Sequence, residues 1–252
     1  MTENLSSTEK ALKILMSFTP YNQEMGTLEI SKKLGIHKST VSRLLHLLAN
    51  HGFLQQNPDT KRYCLGRSAA DIGNAATRAL NSSIVAAAQP FLSELSQLTG
   101  ESVALEILSG TNVVLACHVE GQRHIRFSFQ PNEQVPINVA AGAKAILAYS
   151  SPGLVDLLLK RKFNRFNEKT ITAKKEYRGV LEEVKSSGLA YDWGERYADT
   201  YAIAAPIFNH EETAVAAVVI AGPAFRMTAD FFREVSEPLK GTAANIAQRL
   251  YF

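Results

Sequence analysis

Residues 27–50 read TLEISKKLGIHKSTVSRLLHLLAN, and their spacing predicts two short helices joined at Leu34-Gly35-Ile36. Thr27 can cap the first, whose apolar positions Leu28, Ile30 and Leu34 lie near one face, and Gly35 supplies the backbone freedom of a tight turn. In the second helix Val41, Leu44, Leu45, Leu47 and Leu48 form the apolar stripe, which leaves Lys38, Ser39, Thr40, Ser42, Arg43 and His46 outward. Arg and Lys can donate to guanine O6 and N7 or to phosphates, and hydroxyls reach either, so this surface fits the recognition helix of a helix-turn-helix. A solvated basic face on an ordinary helical hairpin is the plainer alternative.

The next segment favours the DNA reading. Phe53-Leu54-Gln55-Gln56 and Lys61-Arg62-Tyr63-Cys64-Leu65 flank Asn57-Pro58-Asp59-Thr60, the pattern of a β-hairpin. A hairpin straight after a recognition helix is a wing, and Lys61 and Arg62 near its tip would sit beside a phosphate backbone or the minor groove. Upstream, Ser6-Ser7-Thr8-Glu9 offers a capping box, and Leu12, Ile14, Leu15 and Phe18 would pack behind the reading helix. The DNA-binding domain is therefore expected over residues 1–66.

With 252 residues and 46% hydrophobic content, the chain has length for a second, larger domain. No apolar run reaches membrane-spanning length and no signal-peptide pattern opens the chain, so a cytoplasmic protein without membrane partners is expected. The net charge of +3 is modest for a DNA binder, but Lys10, Lys13, Lys32, Lys33, Lys38, Arg43, Lys61 and Arg62 concentrate positive charge near the N-terminus.

Residues 67–81 read as a linker helix with Ile72, Ala76 and Leu80 at helical spacing, suited to pairing with a second copy. A helix over 83–99 carries Pro90, a kink or break, and would dock through Leu92, Leu95 and Leu98. From Glu101 the period drops to two. Val103, Leu105 and Ile107, then Val113-Val114-Leu115, then Ile125, Phe127 and Phe129 read as successive antiparallel strands, with Ser109-Gly110-Thr111-Asn112 as a hairpin turn. Helices are expected over 143–150, 153–161 and 173–187, strands over 202–208 and 214–221, and a last helix over 228–250 built on Phe231, Phe232, Val235, Leu239, Ile246 and Leu250. Residues 82–252 thus form an α+β sensor-like domain with a mostly antiparallel sheet.

The chain resembles the IclR family of bacterial transcription regulators, which join a winged helix-turn-helix to a GAF-like effector domain. The residues that carry the likeness are Leu34-Gly35-Ile36-His37-Lys38-Ser39-Thr40-Val41, the wing end Arg62-Tyr63-Cys64-Leu65-Gly66, the Lys144-Ala145-Ile146-Leu147-Ala148 helix, the Asp192 and Glu195 pair, and Ile203-Ala204-Ala205-Pro206. The resemblance implies a ligand-gated regulator of a catabolic operon, binding a palindromic operator on double-stranded DNA as a homodimer or dimer of dimers. A repressor relieved by ligand is the expected sign; an activator responding to an aromatic or keto acid is the alternative. Carried over by position, the effector-pocket residues are Ile137, Asn138, Ala141, Gly142, Ala143, Asp192, Thr200 and Ala202. Small residues at Ala140-Ala141-Gly142-Ala143 would let an anion such as a carboxylate approach free N–H groups at a helix start, although they equally permit close helix-sheet packing.

The chain departs from the family pattern in places. Ala143 stands where the usual glycine precedes the motif lysine, with Gly142 one place earlier. Asn138, Asp199, Thr200 and Ala202 stand where many members carry a His, a Gly, an aliphatic residue and a Cys, so thiol chemistry is excluded there. The added polar groups favour a hydroxylated ligand, a sugar acid or similar hydroxycarboxylate.

Other chemistries are disfavoured. A methionine sulfoxide reductase-like GAF enzyme needs paired cysteines, and Cys64 and Cys117 are the only two. A metal site on Cys117, His118 and His124 is opposed by the opposite directions of neighbouring strand residues. Asp192 and Glu195 beside Trp193 lack the nucleophile or base that an acid pair would serve, so no enzyme, cofactor or metal is expected.

Overall fold

The N-terminal elements are α1 (Ser7–Met16), α2 (Thr27–Leu34), α3 (Lys38–Asn50), β1 (Leu54–Gln56) and β2 (Tyr63–Leu65). The computed structural model describes residues 5–19, 22–130 and 134–251, and the side chains of all of these except 74, 76–82 and 251. Two compact units emerge, 1–79 and 80–252.

In the first unit α1 opens with the expected capping box: Glu9 N–H donates to Ser6 Oγ at 3.2 Å and Ser6 N–H to Glu9 Oε2 at 2.7 Å. The cap of α2 is Gly26 and not Thr27, because the extended backbone at Gly26 lets its N–H reach Glu29 Oε2 at 3.4 Å. Gly35 ends α2 with φ 65°, the left-handed conformation the turn demands. Ile14, Phe18, Ile30, Ile36, Val41, Leu44, Leu45, Leu48, Leu54 and Tyr63 form one core. Leu12, Leu28 and Leu47, expected inside, are half-exposed. At 100° per residue Leu47 lies about 110° round from the centre of the stripe made by Val41, Leu44, Leu45 and Leu48, too far to turn inward.

The hairpin pairs Leu54 with Leu65 and Gln56 with Tyr63, and Asn57 Oδ1 accepts from the N–H groups of Asp59 and Thr60 to shape its turn. Met25 and Tyr63 exchange backbone hydrogen bonds at 2.9 Å, tying the wing to the entry of α2. At Gly66 the backbone runs so close to Leu54 that a Cβ would lie 2.9 Å from its carbonyl carbon and oxygen.

Helix α4 (Arg67–Thr99) is one element where two were expected. Pro90 lies on its exposed side, where water can satisfy the carbonyl that loses its partner, while Ala87, Ala88, Leu92 and Leu95 anchor both flanks in a core. Leu98 is exposed rather than docked, as is Ile72. The expected pairing positions Ala76 and Leu80 have side chains outside the described residues.

The second unit is built on β3 (Ser102–Ser109), β4 (Asn112–Val119), β5 (Gln134–Val135), β6 (Ala190–Asp192), β7 (Thr200–Phe208) and β8 (Ala214–Pro223). They form one antiparallel sheet in the order β5-β4-β3-β8-β7-β6. Alternation along β3 sends Val103, Leu105 and Ile107 toward the C-terminal half of α4 and toward α8 (Ala229–Tyr251), where Phe232, Val235, Leu239 and Ile246 are buried. The opposite face is rich in alanine, at 104, 202, 204, 217 and 221, and receives α5 (Ala141–Ala148). Helices α6 (Pro152–Leu159) and α7 (Lys174–Ser187) pack outside α5 around Tyr177.

Residues 121–130 are not the expected strand. Their alternation is real, with Ile125 exposed and Phe127 and Phe129 half-buried, but the segment is held by side chains in place of a ladder: Ser102 Oγ donates to the Phe127 carbonyl at 2.5 Å and accepts from Gly121 N–H at 2.9 Å. Strand β6 was not expected, being only three residues long.

Candidate functional site

The outward face of α3 carries the polar residues the sequence places there, with Leu47 added. Lys38, Ser39, Arg43 and His46 are exposed, and Thr40 and Ser42 are half-buried at the edge of the stripe. His37 caps the helix, its Nδ1 accepting from Ser39 N–H at 3.4 Å, so the first turn is fixed by a side chain that itself faces solvent. Leu47 joins this face, and an apolar side chain there can meet a thymine methyl. Lys10 and Lys13 of α1 line a hollow with Gly35, His37 and Thr40, so positive charge continues past the turn.

The two wing cations differ. Lys61 is exposed at the hairpin turn with φ 56°. Arg62 is committed inward: its guanidinium donates to the Glu24 carbonyl at 2.7 and 3.1 Å and to Glu29 Oε2 at 2.7 Å. In this arrangement it staples the wing onto α2.

In the second unit a cavity opens between the sheet, the start of α5 and the loop from β6 to β7. Of the eight expected residues Ala141, Asp192, Thr200 and Ala202 line it. The other four do not. Asn138 is buried and donates to the carbonyls of Asn164 and Ile171 at 3.1 and 3.0 Å, and Ile137 accepts from the Tyr177 hydroxyl at 2.6 Å. Both border a separate hollow beside Arg161. Gly142 and Ala143 are packed inside the helix-sheet contact, where small size serves close approach.

The cavity also has walls that the sequence reading missed. Phe127 and Phe129 stand edge to face at 4.9 Å, Tyr197 lies 6.1 Å from Phe127, and Arg196 sits 4.9 Å over the Tyr197 ring. Glu106 projects from β3 on the α5 side. The only sequence signal for Glu106 was a charge interrupting an apolar strand; Arg196 gave none. Helix α5 starts at Ala140 without a side-chain cap, so its positive end opens on the cavity through Ala140 and Ala141.

Behind the cavity, Lys144 is fully buried and bonds Glu195 Oε2 and the Tyr191 carbonyl, the latter at 2.8 Å. Asp192 Oδ1 accepts from the N–H groups of Gly194 and Glu195 at 2.9 and 2.8 Å and so shapes the loop that carries Arg196 and Tyr197. Burial pushes the Glu195 carboxyl up from 4.5 to about 7 against the pull of Lys144, and burial raises Asp192 as well. An acid that holds its proton more tightly when folded adds stability at low pH, and that advantage disappears as the pH climbs from about 4.5 to about 7. The melting temperature of Glu195→Gln, followed across that window, is therefore expected to fall less steeply than that of the parent.

Cys117 is half-buried and its thiol is pushed up to about 11, so it stays protonated at neutral pH. Among the described residues no three His, Cys, Asp or Glu side chains converge as a metal site, and no helix is long and apolar enough to cross a membrane.

Comparison with known proteins places this geometry. A family model described as "Bacterial transcriptional regulator IclR C-terminal" matches residues 77–248, and one described as "IclR helix-turn-helix domain" matches residues 7–58. The chain is similar to the HTH-type transcriptional regulator BhcR of Paracoccus denitrificans, with 31% identity covering 89% of this chain and 80% of that one. It is similar to the HTH-type transcriptional repressor AllR of Klebsiella pneumoniae, with 29% identity covering 96% and 89%. Among solved structures it resembles Thermotoga maritima IclR at 28% identity and a TM-score of 0.65, covering 98% and 99%.

Proposed function

The chain belongs to the IclR family of bacterial transcriptional regulators, DNA-binding proteins and not enzymes, and we propose on that footing that it is a repressor of a catabolic operon released from its operator by a small carboxylate such as a sugar acid. The observation that carries the carboxylate is the cavity itself, where Arg196 and the uncapped start of α5 meet beside aromatic walls. Asp192, Thr200, Ala141 and Ala202 complete the contacts to the effector, and Thr200 adds a hydroxyl. The repressor sign is supported by the likeness to AllR, a transcriptional repressor.

On the DNA side, Lys38, Ser39, Thr40, Ser42, Arg43 and His46 contact the major groove and Lys61 meets the backbone. A homodimer or dimer of dimers supplies the two reading helices that a palindromic operator requires. The effector favours one arrangement of the sensor units, which shifts the population of molecules able to span both half-sites.

A thermal-shift screen of the full chain against sugar acids, keto acids and aromatic acids tests this. A true effector at about 100 times its Kd adds about 2.7 kcal/mol of apparent stability and raises the melting temperature by several degrees. Absence of a shift with every acid would overturn the carboxylate reading.

A further inference from the structure

The turn between β8 and α8 does not line the cavity, yet it is bonded to both segments that wall it. Ala224 N–H donates at 2.7 Å to the carbonyl of Asp199, on the loop that carries Tyr197. Two residues on, the Arg226 guanidinium forks onto Glu101, Nε to Oε1 at 2.6 Å and Nη2 to Oε2 at 2.9 Å. The same Nη2 donates at 2.6 Å to the carbonyl of Ile125, two residues before Phe127. The turn is closed on itself, since the N–H groups of Arg226 and Met227 both return to the Pro223 carbonyl, at 3.0 and 3.2 Å.

The surrounding chain makes room for this contact. Glu101 is 1% exposed, a burial that a carboxylate tolerates only with a well-placed partner. At Gly222 an added Cβ would lie 2.6 Å from Glu101 Oε2, and at Gly121 one would lie 2.8 Å from the Glu101 carbonyl carbon. Arg123, whose side chain is half exposed, adds a longer contact from Nε to Oε1 at 3.4 Å. Residues 121–130 belong to no strand, so side-chain bonds fix their place: Arg226 to Ile125, Ser102 to Phe127 and Gly121, and Glu120 to Arg126 and Ser128. Of these, the Arg226 bond is the one that comes from the turn tied to the opposite wall. Phe127 and Tyr197 face each other across the cavity at 6.1 Å.

We propose that Arg226 is a positioning residue of the effector cavity: it holds the Phe127 wall at its spacing from the Tyr197 wall from outside the cavity, so that a ligand meets a site already formed. Walls that are ordered before binding do not have to be ordered by the ligand, and the affinity rises accordingly. This rests on the reading of the cavity as the effector site. The role needs a guanidinium, because one planar fork serves Glu101 and Ile125 together, where an ammonium is a compact charge without that geometry.

The test compares the full chain with its Arg226→Lys and Arg226→Gln variants. Arg226→Lys keeps a cation beside Glu101 and should leave the urea unfolding midpoint close to that of the parent, whereas Arg226→Gln should lower it. Trypsin cleavage after Arg123 and Arg126, located by mass spectrometry, is expected to run about fivefold to tenfold faster in Arg226→Lys than in the parent, as the segment opens locally without global unfolding. Calorimetry with gluconate and with 4-hydroxybenzoate reads the cavity: an acid that binds the parent should bind Arg226→Lys about tenfold more weakly, and at saturation it should slow the cleavage of the parent. Unchanged cleavage in Arg226→Lys would overturn the proposal. So would faster cleavage with unchanged affinity for an acid that binds, and so would a midpoint lowered as far as in Arg226→Gln, since either leaves Arg226 a role in stability alone. If neither acid binds the parent, it is the carboxylate reading that fails, and the cleavage rates still decide whether Arg226 holds the wall.

Discussion

Arg43→Ala is expected to weaken binding to an operator duplex by about tenfold to a hundredfold at fixed salt while leaving the thermal shift given by an effector unchanged. Arg43 is exposed on the face of α3 opposite the buried Val41, Leu44, Leu45 and Leu48, so its loss would remove the proposed donor to DNA without touching the core. It shares that face with Ser39 and His46, one turn to either side. Arg62→Ala, by contrast, removes three hydrogen bonds that hold the wing to the Glu24 and Glu29 region. Its effect should therefore appear first as lost stability of the first unit. Titrations by fluorescence anisotropy at several salt concentrations, beside thermal melts, separate the two. An Arg43→Ala protein with unchanged affinity and salt slope would mean that α3 is not the reading helix.

The largest stability effect is expected at Glu195. At pH 8 its carboxylate is the charged partner of Lys144, whose side chain has no exposure, and Glu195→Ala leaves that ammonium with the hydrogen bond to the Tyr191 carbonyl and the electrostatic pull of Asp192, without its paired carboxylate. Removing one partner of a buried pair destabilises by about 3–5 kcal/mol, because the remaining charge is stranded. Adding Lys144→Met should recover most of the loss, since an apolar side chain of similar volume needs no partner. Urea unfolding midpoints of the parent, the single variant and the double variant check this. A double variant no more stable than Glu195→Ala would show that the pair is not acting as a unit. The consequence reaches the cavity, because the pair ties α5 to the loop that carries Arg196 and Tyr197.

How much of this was legible in the sequence depended on whether a residue's role was local. The helix-turn-helix and the wing could be read because each signal, the Gly35 turn, the Ser6 capping box and the Asn57 turn, acts within a few residues. Leu47 was misplaced because its apolar character outweighed its angle, which the helical period puts about 110° from the centre of the stripe. Phe127 and Phe129 alternate as strand residues do, yet what they line is a cavity wall, and no pattern in one sequence distinguishes the two. The kinship of Lys144, Asp192 and Glu195 was visible only as a resemblance; that Lys144 and Glu195 meet across 51 positions is a product of tertiary packing. Arg196 and Glu106 belong to the same class, brought to one cavity from a loop and a central strand. Asn138, Gly142 and Ala143 were sound indications of the region and wrong about the surface, since they serve the framework just behind it.

Occupancy of the cavity is proposed to control DNA binding. This is tested most directly by titrating the full chain into a duplex selected from random sequence by the protein itself, with and without saturating amounts of the acid that stabilises it most. The account predicts a palindromic duplex whose affinity falls at least about tenfold when the acid is present, a coupling of roughly 1.4 kcal/mol. An affinity unchanged at saturation would contradict it, leaving a DNA-binding protein whose cavity does not speak to its reading helix.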